Sequence, residues 1–375
     1  MHVRIARMTT DVISTGIGTI RTGVLGGGFM ARVHAAAAQA AGSPIIALAS
    51  STPDRAAAAA SRLGAARVEP DAAALIAASD IDVVHVCTPN ATHAPYALAA
   101  LEAGRHVVCE KPLATTAADA RRLVEAAAHA GVIAAVPFVY RYHPMVREAR
   151  ARVARGDVGT LLSVQGAYLQ DWMLAASDDD WRADAATGGP SRAFADIGSH
   201  LCDLLEFVAG ARIARLTAVT RRVFDRRAEH EVDNEDIAGI LAELASGAVA
   251  TLLVSQMAPG RKNGLTLELH GTAASLRFAQ ERPEELWVGG RHGSQLLLRD
   301  PETADASSAR LHRMPAGHPM GYQDAFDGFV ADVHAAVRGE APDGLPTFAD
   351  GLRAAVLTEA VLASAARREW IEVEG

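Results

Sequence analysis

The chain has 375 residues, half of them hydrophobic and 21% charged, which suits two hydrophobic cores in a globular protein. A formal net charge of −8, with lysines and arginines spread along the chain, argues against nucleic acid or an anionic membrane as a partner. No apolar run reaches the roughly 18 residues that span a bilayer, no signal-peptide pattern opens the chain, and Cys87, Cys109 and Cys202 form no C-x-x-C pair, so a reducing cytoplasm is the expected compartment.

Residues 1–19 show no convincing period and read as a leader. From Thr19 the chain alternates. "TIRTGVLGGG" reads as a strand entering a glycine turn, "FMARVHAAAAQA" as a helix, "SPIIALASS" as a strand and "PDRAAAAASRL" as a helix with Pro53 near its start. There follow a helix in "DAAALIAAS", a strand in "DIDVVHVCTP", a helix closed by Gly104, a strand in "RHVVCEKP", a helix in "TAADARRLVEAAAHAG" and a strand in "VIAAVPFVY". Continuous apolar strands separated by amphipathic helices predict a doubly wound parallel sheet over residues 20–140.

Between the first strand and first helix, Gly26-Gly27-Gly28-Phe29-Met30-Ala31 spells G-x-G-x-x-A. Gly26 suits the tight turn and Gly28 the close approach of backbone amides to a pyrophosphate, with Phe29 and Met30 opening the helix. Three glycines in a row also make a plain flexible turn; the strand-turn-helix setting favours dinucleotide binding. The second strand ends Ala49-Ser50-Ser51-Thr52, without the acid that would hold adenosine ribose hydroxyls. Its absence, with Arg55 four residues past Ser51, tilts the cofactor toward NADP over NAD. Thr88-Pro89-Asn90 and Glu110-Lys111-Pro112 end two further strands on the edge that opens onto such a cofactor.

After Tyr140 the texture changes. A loop, a helix and the turn "GDVG" lead into segments of alternating character, "RLTAVTRRVF", "NEDIAGILAELASGAVATLLVSQM", "GLTLELHGTAASLRFAQ" and "ELWVGG", joined by hairpin turns such as Ser246-Gly247. These predict an α+β domain over 141–375 built on a large, mostly antiparallel sheet. Two long amphipathic helices from "GYQDAFDGFVADVHAAVRG" and "TFADGLRAAVLTEAVLASAARR" and a short edge strand in "EWIEV" close the chain, with the helices free to pack back on the first domain.

Within "AFADIGSHLCDLLEFVAG", at about 100° per residue, Ile197, Leu201, Leu204 and Val208 share one stripe and Asp196, His200 and Asp203 another. A helix with no other role would use Asp196 as a cap, bury His200 satisfied and pair Asp203 with an arginine. Asp196 and His200 at this spacing also suit zinc, but no third ligand with clear spacing exists, so no metal is expected.

The motifs "GVLGGGFMA", "VCTPNATHAPYALAALEAGRHVVCEKPLA", "YRYHP", "GDVG", "GG" before "DIGSHLCDLLEFVAG", and "FADGLRAAVLTEAVLASA" occur in an order that resembles the Gfo/Idh/MocA family of NAD(P)-dependent sugar and cyclitol oxidoreductases. The resemblance runs from about residue 20 to the end. It implies that Lys111, Asp196 and His200 meet beside the nicotinamide, and it adds His93 and Glu110 to the cofactor-binding positions. Oxidising a secondary alcohol removes a hydroxyl proton as hydride leaves the carbon, so a base must touch that hydroxyl. His200 is one candidate, with Asp196 orienting its ring, and Lys111 the other, as base or as stabiliser of the developing oxyanion.

Arg141, Tyr142 and His143 are expected to overhang the pocket. Asp171 and Trp172 in "YLQDWM" offer an acid and an aromatic face to a sugar ring. Arg192, His318 and Tyr322 are further pocket candidates. The expected activity is hydride transfer between the nicotinamide and a secondary alcohol of a sugar, anhydrosugar or inositol. Two other functions stay open, an oxidative glycosidase with bound cofactor and a noncatalytic dinucleotide or sugar sensor. Family members pair such sheets, which implies a homodimer or homotetramer.

Overall fold

The first strand, β1 (Thr22–Leu25), is buried along its whole length, as a strand covered on both faces must be. The computed structural model describes residues 18–228 and 230–374, so the expected leader lies, through residue 17, outside the described residues. Around β1 stand β2 (Ile45–Ala49), β3 (Arg67–Val68), β4 (Val83–Val86), β5 (His106–Cys109) and β6 (Ala134–Ala135), in the order β3-β2-β1-β4-β5-β6. All pairings are parallel. The order reverses between β1 and β4, and the crevice above that point is where such sheets bind ligands.

The intervening helices are α1 (Phe29–Ala40), α2 (Pro53–Leu63), α3 (Ala72–Ala77), α4 (His93–Glu102) and α5 (Ala117–Ala130). Their boundaries follow ordinary signals. Thr52 caps α2 ahead of Pro53, Thr116 caps α5, and Gly64 and Gly131 end those helices in the left-handed region. The expected strand "VIAAVPFVY" is corrected to the two residues of β6. Pro137 has no amide to give the ladder, the Val136 amide turns to the Pro346 carbonyl at 3.1 Å, and residues Val139–Tyr142 wind into a 3₁₀ turn.

α6 (Pro144–Arg155) leads into the second sheet, whose strands are β7 (Leu161–Leu169), β8 (Ile213–Arg221), β11 (Ile237–Leu244), β12 (Val249–Ser255), β13 (Gly264–Gly271), β14 (Ser275–Ala279), β15 (Glu285–Gly290), β16 (Gly293–Leu298) and β17 (Ile371–Glu372). Two short strands, β9 (Arg226–Arg227) and β10 (His230–Glu231), form a separate hairpin. The nine run β16-β15-β14-β13-β7-β12-β11-β8-β17, and only β7 and β12 pair in parallel. Gly247, at φ +86°, turns β11 into β12 as expected.

Between β7 and β8 the chain makes a short helix α7 (Ala185–Gly188), a π turn (Phe194–Gly198) and α8 (Ser199–Ala209), which lies on the sheet. Ile197, Leu201, Leu204 and Val208 are all buried in that contact. Gly166 on β7 makes the approach close: a Cβ there would stand 3.0 Å from Leu201.

The last two helices cover both halves. α9 (Tyr322–Val337) sends Phe326, Phe329, Val330 and Val333 into the core around Val24, Ala31 and Leu48 of the first sheet. α10 (Phe348–Arg367), opened by a Thr347–Asp350 capping box, puts Phe348, Ala354 and Ala355 into the α4–α5 core and Leu357 and Val361 into the core of the second sheet.

Gly198 closes the π turn, and a Cβ there would lie 2.5 Å from the Phe194 ring. Phe194 is itself buried, so the ring cannot swing aside. Gly198→Ala should cost about 1–3 kcal/mol through this overpacking, read as a lower urea midpoint at unchanged slope.

Candidate active site

The chain ends of β1, β4 and β5 and the start of α1 form one edge. Gly26 has φ +109°, and a Cβ would meet the Cys87 carbonyl at 2.5 Å, so β1 and β4 can close here only with glycine. Gly28 has nothing within 4 Å of where its Cβ would be. It opens α1 with no side-chain cap and no acid in the first turn, which leaves the first amides of a twelve-residue helix for an anion. Phe29 is exposed beside them with the Arg32 guanidinium over its ring, and Met30 is half-buried. The Ser51 hydroxyl receives the Arg55 guanidinium at 3.3 Å, and Arg62, which sequence patterning missed, reaches the Gly27 carbonyl at 3.1 Å. Ser50 lies against the same turn, its hydroxyl 3.5 Å from a Cβ built on Gly27. This edge fits a dinucleotide pyrophosphate.

The other two loops are tied together. His93 joins the Thr88 carbonyl at 2.7 Å to the Pro112 carbonyl at 2.7 Å, so both ring nitrogens are engaged and it shapes the loops rather than reaching a cofactor. Thr88 Oγ accepts from Thr92, Pro89 starts the following turn, and buried Asn90 donates to the Gly188 carbonyl. The Lys111–Pro112 peptide is cis.

Lys111 Nζ lies 2.6 Å from Asp196 Oδ1 and 2.8 Å from the Asp196 carbonyl oxygen. Asp196 Oδ2 accepts from Gln256 at 2.9 Å, and Arg182 Nε stands 3.5 Å from Oδ1. Burial alone would raise the Asp196 carboxyl, but the charges of Lys111 and Arg182 hold it far below the usual carboxylate range. The expected Asp196–His200 hydrogen bond does not form. The helix is π-wound just here, with the Ser199 amide bonded to the Phe194 carbonyl five residues back. The extra residue turns Asp196 off the column that a 3.6-residue period assigns it, and toward Lys111.

His200 is buried between the edges of Phe138 and Tyr140, at ring-centroid distances of 5.6 Å and 5.1 Å, and its Nδ1 has no partner among the described residues. Burial, then the Lys111 charge, pull its pKa down to about 3. The ring is therefore neutral at physiological pH, not poised near neutrality as a strong base would be. Tyr140 continues into a polar line that the sequence did not reveal: its hydroxyl lies 2.5 Å from that of Tyr168, which donates to Asn263, which accepts from Gln170, which in turn accepts from Trp172 Nε1. Tyr322 packs against Tyr140 from α9.

Several expected pocket residues serve elsewhere. In the 3₁₀ turn each side chain points about a third of a turn from the last, so only Tyr140 of its run faces His200. Arg141 pairs with Asp203 and Asp350 and lies over Phe207, on another side of α8. Tyr142 is buried against Phe329 and Arg147, and His143 stacks behind Tyr140. Arg192 is buried in an ion pair with Asp236, which also binds Arg227, and so anchors the π turn to β11. Asp171 is held by Lys262 at 2.8 Å and the Gly260 amide at 3.0 Å. His318 is exposed, its ring 3.3 Å from the Ala316 carbonyl and its own carbonyl accepting from Arg299. Trp172 keeps a partly open ring at the end of the line from Tyr140. Among the described residues no group of three or more His, Cys, Asp or Glu side chains is placed to hold a metal ion.

Residues 20–138 match the family described as oxidoreductase family, NAD-binding Rossmann fold, and residues 146–277 the GFO/IDH/MocA C-terminal domain. The chain belongs to the Gfo/Idh/MocA family. It is 31% identical to levoglucosan dehydrogenase of Pseudarthrobacter phenanthrenivorans over 94% of this chain and 98% of that protein. A levoglucosan dehydrogenase structure in complex with NADH and levoglucosan superposes with TM-score 0.89 at 31% identity, covering 95% of this chain and all of that one. An oxidoreductase domain protein from Kribbella flavida gives 0.90 at 34% identity, covering 96% of this chain and all of that one. Membership makes the chain an NAD(P)-dependent oxidoreductase acting on CH–OH groups, which sets aside the noncatalytic sensor.

The depressed His200 pKa has a measurable sign. Unfolded, the ring takes a proton near 6.5; folded, only near 3, so stability falls as pH drops through that window. In nuclear magnetic resonance of the folded protein, the His200 ring should keep its neutral shifts from pH 8 to about 5, whereas a midpoint near 6.5 would contradict its burial.

Proposed function

We propose that Lys111 handles the reacting proton, with Asp196 as its anchor and His200 as a neutral hydrogen-bonding wall. The observation that carries this is the meeting of Lys111, from the end of β5, with the carbonyl and carboxylate of Asp196 from the π turn. Two of the three ammonium N–H groups are thereby used, and the third remains for a substrate oxygen. A bound nicotinamide dinucleotide would supply the hydride acceptor or donor, held by the Gly26–Gly28 turn, the first amides of α1 and the Thr88–Asn90 loop. In the reducing direction the third N–H would give its proton to the carbonyl oxygen as hydride reaches the carbon; in oxidation Lys111 would start as the neutral amine, its lone pair taking the hydroxyl proton, and the dry walls of Phe138 and Tyr140 strengthen the resulting ammonium's hold on the reacting oxygen.

The substrate is a sugar, anhydrosugar or inositol, in keeping with levoglucosan dehydrogenase and with the inositol 2-dehydrogenase of Acidothermus cellulolyticus. Trp172 offers the ring face, and Gln170 and Asn263 the hydroxyl partners. For the cofactor, the chemistry of Ser50, Ser51 and Arg55 supports the phosphate-bearing NADP, since Ser50, Ser51 and Thr52 follow β2 with no acid among them and two guanidiniums stand by the loop.

The test is reduced-nicotinamide absorbance with NAD and NADP against a panel of pyranoses, anhydrosugars and inositols. Turnover should be faster with NADP and fall by at least about 100-fold in Lys111→Ala, with dinucleotide binding retained. Product released without reduced cofactor would instead indicate the oxidative glycosidase. Equal or better use of NAD would remove the NADP assignment.

The face of the second sheet away from α8 carries Val219, Leu241, Val249 and Leu253, all exposed. Such a patch supports a homodimer or homotetramer built sheet to sheet. Light scattering should give a dimer or tetramer mass, and Leu241→Asp combined with Leu253→Asp should shift it to the monomer. The unpaired cysteines Cys87, Cys109 and Cys202 support a reducing cytoplasm. Among the described residues no helix is long and apolar enough to cross a membrane.

A further inference from the structure

Behind Lys111 lies a line of buried titratable groups that the reaction so far does not use. Glu110 is buried, its Oε2 accepting from the Lys111 amide at 3.1 Å and its Oε1 lying 2.9 Å from His34 Nε2. His34 Nδ1 in turn lies 2.9 Å from His85 Nδ1. Both rings are wholly excluded from solvent, His34 on α1 and His85 in the middle of β4, where an apolar side chain would pack as well.

The geometry fixes where the protons are. Two facing Nδ1 atoms at this distance share one proton, and Glu110 as a carboxylate accepts only, so His34 Nε2 carries a hydrogen toward it. A neutral His34 then accepts at Nδ1 from His85 Nδ1–H, which leaves His85 Nε2 as a bare acceptor. That atom has no partner among the described residues, and an unpaired buried acceptor is the cheaper of the two ways to end the line. Burial, followed by the nearby His34 and His334 rings, keeps His85 well below its usual pKa, in agreement with a neutral ring.

We propose that His34 and His85 are positioning residues for the reaction, a buried donor line that holds Glu110 as a fixed carboxylate behind Lys111. The inference rests on the reading of Lys111 as the proton-handling group. With Glu110 ionised, two anions, Glu110 and Asp196, stand around Lys111, while Arg182 divides its charge between Asp196 and Asp180, and this sets the charge balance at the ammonium. A proton on Glu110 upsets that balance and alters how firmly the site holds the proton on Lys111.

Other titratable groups face Glu110 from every side. Cys87, just past β4, and Cys109, at the end of β5, lie near it, both thiols pushed up by burial and by its charge. His93 on α4 favours the Glu110 anion, while Arg182, His200 and Tyr322 feel its charge across the site. Burial works against the Glu110 charge, and the hydrogen bond from His34, with the charge of Lys111, more than offsets it, so the carboxyl sits below its usual range.

The experiment uses infrared pH-difference spectra of the protein without substrate, reading the carbonyl band of a protonated carboxyl assigned by its loss in Glu110→Gln, together with kcat as a function of pH. In the wild-type protein the band should be absent at neutral pH. In His34→Phe it should appear there, and a limb of the kcat profile should move by about one pH unit or more. His34→Gln, whose amide nitrogen stands where the ring Nε2 stood, should restore both.

His85→Leu should give a smaller shift of the same sign by freeing the His34 tautomer, and His85→Asn should restore it. This second pair decides the matter if His34→Phe does not fold. The proposal is overturned if folded variants lose activity uniformly with limbs unmoved and no carboxyl band at neutral pH. A wild-type protein inactive on every sugar would fail the functional reading, yet the infrared result on the protein alone would still decide this one.

Discussion

The Lys111 ammonium sits between the carboxylate and the main-chain carbonyl of a single residue, Asp196, and this contact joins the loop after one sheet to the turn before the helix that covers the other. Both partners are largely withdrawn from water, each with 14% of its side chain exposed. An ion pair in that setting adds little net stability over an apolar pair of the same volume, yet removing one partner strands the other at a cost of about 3–5 kcal/mol. Its role is positional. Gln256 and Arg182 complete the shell around Asp196, so the carboxylate has one orientation and the ammonium one place to be.

That placement requires the π turn. A regular helix through Phe194–Gly198 would keep Asp196 above His200, where it would orient an imidazole; one extra residue in the turn gives the carboxylate to the lysine instead. The imidazole is left among aromatic edges and stays neutral. Asp203, on the same α8, is given to Arg141 and the packing of α10. One helix thus serves the site with one face and the joint between helices with another.

The parallel sheet, its crossover helices, the antiparallel sheet and the glycine turn were legible because each rests on a short-range rule: period, cap, turn residue or strand alternation. The expectation that Lys111 meets Asp196 came from the family resemblance, not from spacing. What could not be read were departures from regular winding. The π turn has no composition of its own, so the regular period set Asp196 over His200, whereas the carboxylate bonds Lys111. The 3₁₀ turn at Val139–Tyr142 replaced a strand and sent Arg141, Tyr142 and His143 away from the pocket. Gln256, Arg182, Tyr168 and Asn263 reach the site from distant strands and loops, and nothing local marks them. Arg192 and Asp171 looked like free charges and are spent on Asp236 and Lys262, partners far along the chain.

The placement of α9 and α10 also governs when the protein can become itself. The first sheet is complete by Ala135, but the side chains that seal it, Phe326, Phe329 and Phe348, emerge from the ribosome about two hundred residues later. Until then the Rossmann half presents raw apolar surface along α1 and α5. A growing chain therefore carries an unfinished nucleotide-binding half through most of its synthesis. The final helices act as a closing clasp on that half.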